Sequence, residues 1–112
     1  MVVVIGGEIK GDQLEKVKEE YGEYVKVVVD LDKEILAAGG EWHADGEKIL
    51  LKQGSRQEVL WGGGVNLETK EIDFNSLINI RPGVSKSMEV VDVKIREKME
   101  EIISRIFGRW LR

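Results

Sequence analysis

The chain has 112 residues, 42% of them apolar and 34% charged, with no cysteine, one proline, one histidine and a formal net charge of −4. That length and balance specify one globular domain, residues 1–112, large enough to bury a core and too short for two. The missing cysteines exclude a disulfide framework, thiolate metal sites and thiol nucleophiles, and the acidic balance gives no general attraction to nucleic acid.

The run Val2-Val3-Val4-Ile5 predicts a short buried strand from its β-branched content. It has neither the basic leader nor the length of a secretory signal, which points to the cytoplasm. Gly11 to Gly22 reads as a short helix, with Asp12 as N-cap and Glu15 three residues on as in a capping box. Leu14, Val17 and Tyr21 would form its apolar stripe, and Gly22 its stop. Tyr24 to Asp30 returns to strand. From there to Arg81 the pattern predicts an antiparallel meander with turns at Asp30 to Lys33, at Asp45-Gly46, around Gly54 and at Glu68 to Lys70. The hairpin at Asp45-Gly46 would pair Trp42 with Ile49, and Gly62-Gly63-Gly64 would mark a bulge or bend. Ile72 to Arg81 reads as the last strand, ended by Pro82, with Ile72, Phe74, Ile78 and Ile80 on one face. Asp73, Asn75, Asn79 and Arg81 then share the other face. Asp92 to Arg112 is the clearest helix. Ile95, Met99, Ile102, Ile103, Ile106 and Trp110 recur at spacings of three and four, Asp92 is its N-cap, and Arg105, Arg109 and Arg112 suit its negative end.

These elements assemble as an α+β domain: two layers, a five- to six-stranded, mostly antiparallel meander sheet, and a short N-terminal and a long C-terminal helix on one face. The opposite face would be free of helices and would carry Glu41, His43, Lys48, Asn79 and Arg81. Enrichment in Glu and Lys over Asn, Gln and Pro runs in the direction reported for thermophile proteins.

The stretch Gly39 to Gly62 (GGEWHADGEKILLKQGSRQEVLWG), followed by Phe74 to Pro82 (FNSLINIRP), is similar to an uncharacterised family of small bacterial and archaeal proteins, a domain of unknown function. The pieces that carry the resemblance are Glu41 with His43-Ala44-Asp45, Gly54-Ser55 with Gln57, Leu60-Trp61-Gly62, and Ser76 to Pro82. It runs from about Val25 into the last helix and is weakest at the N-terminus. Gly62 to Glu71 and Gly83 to Glu89 depart from the pattern. The resemblance implies a single fold and no activity.

Three classes of function fit the residues, in descending order. The first is a non-enzymatic domain that binds a small anion. Gly83 to Ser87 form an irregular surface segment where Arg81 supplies a planar fork, Lys86 a point charge and Ser85 and Ser87 hydroxyls, the groups that a carboxylate or phosphate needs. Asn79, His43 and Glu41 would extend this site across the polar face. The second is a homodimeric interaction module, because Phe107, Trp110 and Leu111 widen the apolar arc of the last helix beyond what a small sheet covers. The third is a metal-dependent enzyme. Glu41 and His43 at alternating strand positions offer two ligands, one short of a zinc site. No catalytic residue, metal or cofactor is assigned, and neither nucleic acid nor a membrane is expected as partner.

Overall fold

The computed structural model describes residues 1–19 and 22–112. Five strands, β1 (Val2–Ile5), β2 (Tyr24–Asp30), β3 (Ile35–Gly39), β4 (Leu60–Asn66) and β5 (Glu71–Asp73), form one sheet in the order β1-β3-β2-β4-β5. Every pairing is antiparallel. Among the described residues three α-helices accompany them: α1 (Gly11–Val17) between β1 and β2, α2 (His43–Lys52) between β3 and β4, and α3 (Val93–Phe107) after β5. The expected α+β class, the meander-like antiparallel sheet and the long C-terminal helix are therefore present.

Alternation along the strands divides the core. Val25, Val27 and Val29 of β2, Leu36 and Ala38 of β3, and Trp61 and Val65 of β4 meet Leu14 and Val17 of α1 and Met99, Ile102, Ile103, Ile106 and Phe107 of α3. Val28, Ala37 and Leu60 face the other way, against Leu50 of α2. Asp92 caps α3 as expected, its Oδ1 accepting from the Lys94 and Ile95 amides at 2.9 and 3.1 Å. The Asp30 turn also forms, with Oδ1 accepting from the Asp32 and Lys33 amides, both at 2.9 Å. Arg105 sits in the last turn of α3 and donates to the carbonyls of Gly6 (2.7 Å) and Glu34 (2.6 Å), tying the helix to the ends of β1 and β3.

Several expectations need correction. The Asp45-Gly46 hairpin is a helix, α2, so the second sheet face is covered and Trp42 is an exposed N-cap residue with no partner across a hairpin. Asp45 belongs to the cap: its Oδ2 accepts from the Trp42 amide at 2.9 Å. Gly46 lets α2 lie close to the sheet, since a Cβ there would come within 3.2 Å of both Ala37 and Val28. Gly39 and Gly40, at φ of +96° and +89°, turn the chain out of β3 toward this helix. In α1 the cap residue is Lys10, whose amide donates to the Gln13 side chain at 2.9 Å, and Asp12 lies within the first turn. That helix ends at Val17, and the expected stripe residue Tyr21 lies outside the described residues. Gly62-Gly63-Gly64 make no bulge; β4 runs in unbroken register with β2. Glycine is required because Ser76 packs on Gly62, where a Cβ would lie 2.6 Å from the Ser76 Cβ, and the Tyr24 ring lies over Gly64. The arc of the last helix is covered by the chain itself: Phe107 is buried, Trp110 and Leu111 pack on the main core, and Trp110 Nε1 donates to the Ile9 carbonyl at 3.3 Å.

The largest departure concerns Ile72 to Arg81. Strand β5 stops at Asp73, the next residues pair with 88–90 instead, and Leu77–Asn79 make a 3₁₀ turn capped by Ser76. That turn rotates Asn79 off the expected polar face and into the interior, where it is fully buried. Its Oδ1 accepts from the Gly62 amide at 2.8 Å, and its Nδ2 lies within donating distance of the carbonyls of Gly62 (3.0 Å), Met88 (2.9 Å) and Phe74 (3.3 Å). Asn79 thus stands where β5 would have continued beside β4. Asn79→Ala should lower unfolding free energy in urea by about 2–4 kcal/mol, the scale set by several buried backbone groups losing partners. Asn79→Asp should do no better, because a carboxylate satisfies the Gly62 amide and offers the carbonyls nothing.

Candidate functional site

Arg81 follows the Asn79 turn and continues the same edge. In an antiparallel strand, alternate residues present their backbone groups to the same side, so Leu60, Gly62 and Gly64 all point toward β5. Gly64 pairs with Asp73, Gly62 with the Asn79 amide, and the Leu60 carbonyl accepts from Arg81 Nη2. The guanidinium also lies over the Trp61 ring, 4.4 Å from its centroid. Its Nε and Nη1 are buried and have no hydrogen-bond partner among the described residues. Burial pushes the Arg81 pKa down, opposed by the charges of Glu47 and Glu58.

Beyond Arg81 the chain closes a tight loop. The Arg81 amide donates to the Ser85 carbonyl at 2.8 Å and the Ser85 amide to the Arg81 carbonyl at 2.9 Å, with Gly83 between them at φ +76°. The loop brings Ser85, Lys86 and Ser87 to one side of Trp61. There, with Val90, Val91 and Ile95, they enclose a groove of about 310 Å³. Ser85 Oγ donates to the Ser87 carbonyl at 3.3 Å, and Ser87 Oγ accepts from the Glu89 amide at 3.0 Å. Lys86 is exposed at the groove and forms no ion pair among the described residues. Asp92, also on the wall, is committed to capping α3.

Four of the sequence-predicted residues therefore gather around Trp61: Ser85, Lys86 and Ser87 in the groove, and Arg81 behind its aromatic wall. The other three do not join them. Asn79 is interior. Arg81 itself lines a neighbouring surface of about 470 Å³ with Glu47 and Glu58, whose carboxylates disfavour an anion there. His43, at the start of α2, lines a small apolar recess of about 220 Å³ with Trp42, Leu77 and Ile78, while Glu41 lies on a separate surface with Lys16, Lys18 and Glu19. Lys26 borders both and pairs with Glu19. Among the described residues no three His, Asp or Glu side chains are close enough to hold a metal ion.

His43 Nε2 donates to the Gly63 carbonyl at 2.7 Å. Burial holds its pKa below the ordinary histidine value, the Gly63 bond opposes that, and Lys26 reinforces it. Tyr24 crosses Gly64 to donate to Asp73 Oδ2 at 2.6 Å, and burial with this bond pushes the phenol upward. Sequence reasoning missed this pair, and it missed Trp61, Val90 and Ile95 as groove walls. The available signal for the pair was the glycine at 64, which marks a close crossing.

The chain belongs to a family described as protein of unknown function (DUF5674), matched over residues 3–106. The match takes in the N-terminal strand and helix, where the resemblance read from the sequence was weakest. No curated protein and no solved structure matches the chain.

A pH dependence follows from His43. Because its pKa is lowered in the fold, the unfolded chain binds the proton first. The contribution is complete above about pH 6.5, the ordinary histidine value, and is lost as pH falls from there through the folded-state value. Unfolding midpoints measured from about pH 7 to about pH 5 should fall more steeply for the wild type than for His43→Gln, which keeps a donor for Gly63 and cannot titrate.

Proposed function

We propose that this is a non-enzymatic binding domain whose ligand is a small anion with an apolar body, held in the groove between the Val84–Ser87 loop and the start of α3. The observation that carries the reading is the meeting, in one 310 Å³ groove, of apolar walls at Trp61, Val90, Val91 and Ile95 with the cation of Lys86. Ligand pockets have this character: mostly apolar lining and a few polar groups that fix orientation. Lys86 is a mobile point charge suited to an anion at the mouth, and Arg81 adds a second positive charge behind the Trp61 ring. The role of Arg81 thereby changes from direct ligand to support for the aromatic wall.

A non-enzymatic reading also suits the single histidine, whose Nε2 proton is engaged with a backbone carbonyl in a separate recess. Exposed Val84 and Val91 at the rim lengthen the surface available to the apolar part of a ligand.

The test is a melting-temperature series with hexanoate, octanoate, the matching alcohols and inorganic phosphate at equal ionic strength. The carboxylates should stabilise, by about 2.7 kcal/mol at a hundredfold excess over the dissociation constant. The alcohols should stabilise less and phosphate least. Lys86→Ala should weaken carboxylate binding by up to about fivefold, the scale of one exposed charge contact of about 1 kcal/mol, and leave the alcohols unaffected. Val91→Trp, which fills the groove from an exposed position, should remove the effect of both. If no carboxylate stabilises the wild type, or if Val91→Trp keeps the full response, the reading is wrong.

A further inference from the structure

The two ends of the sheet are treated differently. At one end β5 is short and charged, and the backbone of β4 beyond it is closed by Asn79 and Arg81. At the other end stands β1, four β-branched residues without a charge, a proline or a bulge, in unbroken register with β3. An uncharged apolar edge of this kind is a template for another strand.

The register says which backbone groups are free. The Gly40 amide donates to the Met1 carbonyl at 3.1 Å, so Met1, Val3 and Ile5 direct their backbone groups toward β3. Val2 and Val4 then point theirs outward, where no hydrogen bond reaches them among the described residues. The free stretch ends at Gly6, because Arg105 occupies the Gly6 carbonyl. Past it, Gly7 carries no side chain, and a Cβ built there would meet nothing within 4 Å.

We infer that β1 pairs antiparallel with β1 of a second copy of this chain, with Val2 opposite Val4 of that copy and the two-fold axis at Val3, joining two sheets into one of ten strands. The occupant is a second copy because the edge is its own complement. Two outward-facing residues, two apart, satisfy each other about a two-fold axis, giving four backbone hydrogen bonds and a side-chain row that is apolar on both faces. A register centred on Val4 would set Val2 against Gly6, whose carbonyl is already bonded to Arg105. So short a strand pair lies at the small end of specific interfaces, below about 1,200 Å², so the dimer should form in a concentration-dependent way. This surface is at the far end of the sheet from β4 and the Trp61 groove, so its failure and that of the binding function are separately visible.

The experiment is sedimentation velocity from about 1 to about 500 μM, a range that covers weak self-association. The wild type should shift from monomer to dimer. Val4→Pro, which removes an outward amide and leaves the β3 ladder intact, should weaken association at least about tenfold. Val2→Lys, which places a charge on the edge, should do the same, and circular dichroism identifies any variant that fails to fold. Because the chain has no cysteine, Val3→Cys gives a positional readout. Facing Val3 residues form a non-hydrogen-bonded pair about 4.5 Å apart at Cα, within disulfide range, so this variant should cross-link under mild oxidation and Val2→Cys should not. A monomer at every concentration overturns the inference. So does a dimer that survives both edge variants, or one whose Val3→Cys form fails to cross-link.

Discussion

On the side away from β2, strand β4 loses its neighbour halfway along its length, and much of the rest of the molecule follows from how that loss is repaired. Buried backbone groups must be paired, and from Gly63 back to Leu60 no strand among the described residues lies on that side of β4 to pair them. The repair uses side chains in place of backbone. Asn79 presents an oxygen and an amide to Gly62 in the geometry that a peptide unit would have, and Arg81 closes the Leu60 carbonyl. To deliver Asn79 the chain must leave the sheet after Asp73, cross Gly62 closely enough that only glycine fits beneath Ser76, and turn in a single 3₁₀ step.

The same crossing creates the groove. Once the chain has turned at Asn79 it emerges on the surface beside Trp61, and the Arg81–Ser85 loop folds back on itself through two backbone hydrogen bonds. Arg81 is then held against the ring from behind, and the loop supplies Lys86 and the two serines in front. Asn79 reaches forward as well, donating to the Met88 carbonyl, so the residue that repairs β4 also anchors the segment leading to α3. The polar residues of this stretch divide their work. Asn79 and Arg81 satisfy backbone, Ser85 and Ser87 order the loop, and Lys86 keeps its charge available.

Burial of both sheet faces also explains the glycines of the strands and of α2. A helix lying on one face of a small sheet leaves the other wet, but here α2 covers the second face, and Gly46 permits the close approach. Polar groups of the region are bonded in place: half-buried His43 to the Gly63 carbonyl and Tyr24 to Asp73, and buried Ser55 to the buried Asp30 carboxylate at 2.6 Å. These bonds account for the chemistry-bearing residues of the region as parts of the fold.

The elements legible from the amino-acid order alone are those whose signals are local and strong. Helix α3 with its Asp92 cap, strands β1 and β2, the Asp30 turn and the antiparallel α+β class all follow from periodicity and capping within a few residues of each position. Tertiary structure decided the remainder, because the same local signal served two outcomes. Asp45-Gly46 suits a hairpin turn as well as a helix whose aspartate caps and whose glycine packs; the choice depended on Ala37 and Val28, strands away in the sheet. Ile72 to Arg81 alternates like a strand, yet a buried amide was worth more at Gly62 than continued pairing, a preference that exists only once β4 is in place without a neighbour. The positions of Lys86, Ser85 and Ser87 around Trp61 were set in the same way, by a long-range requirement that residues near them in the chain do not express.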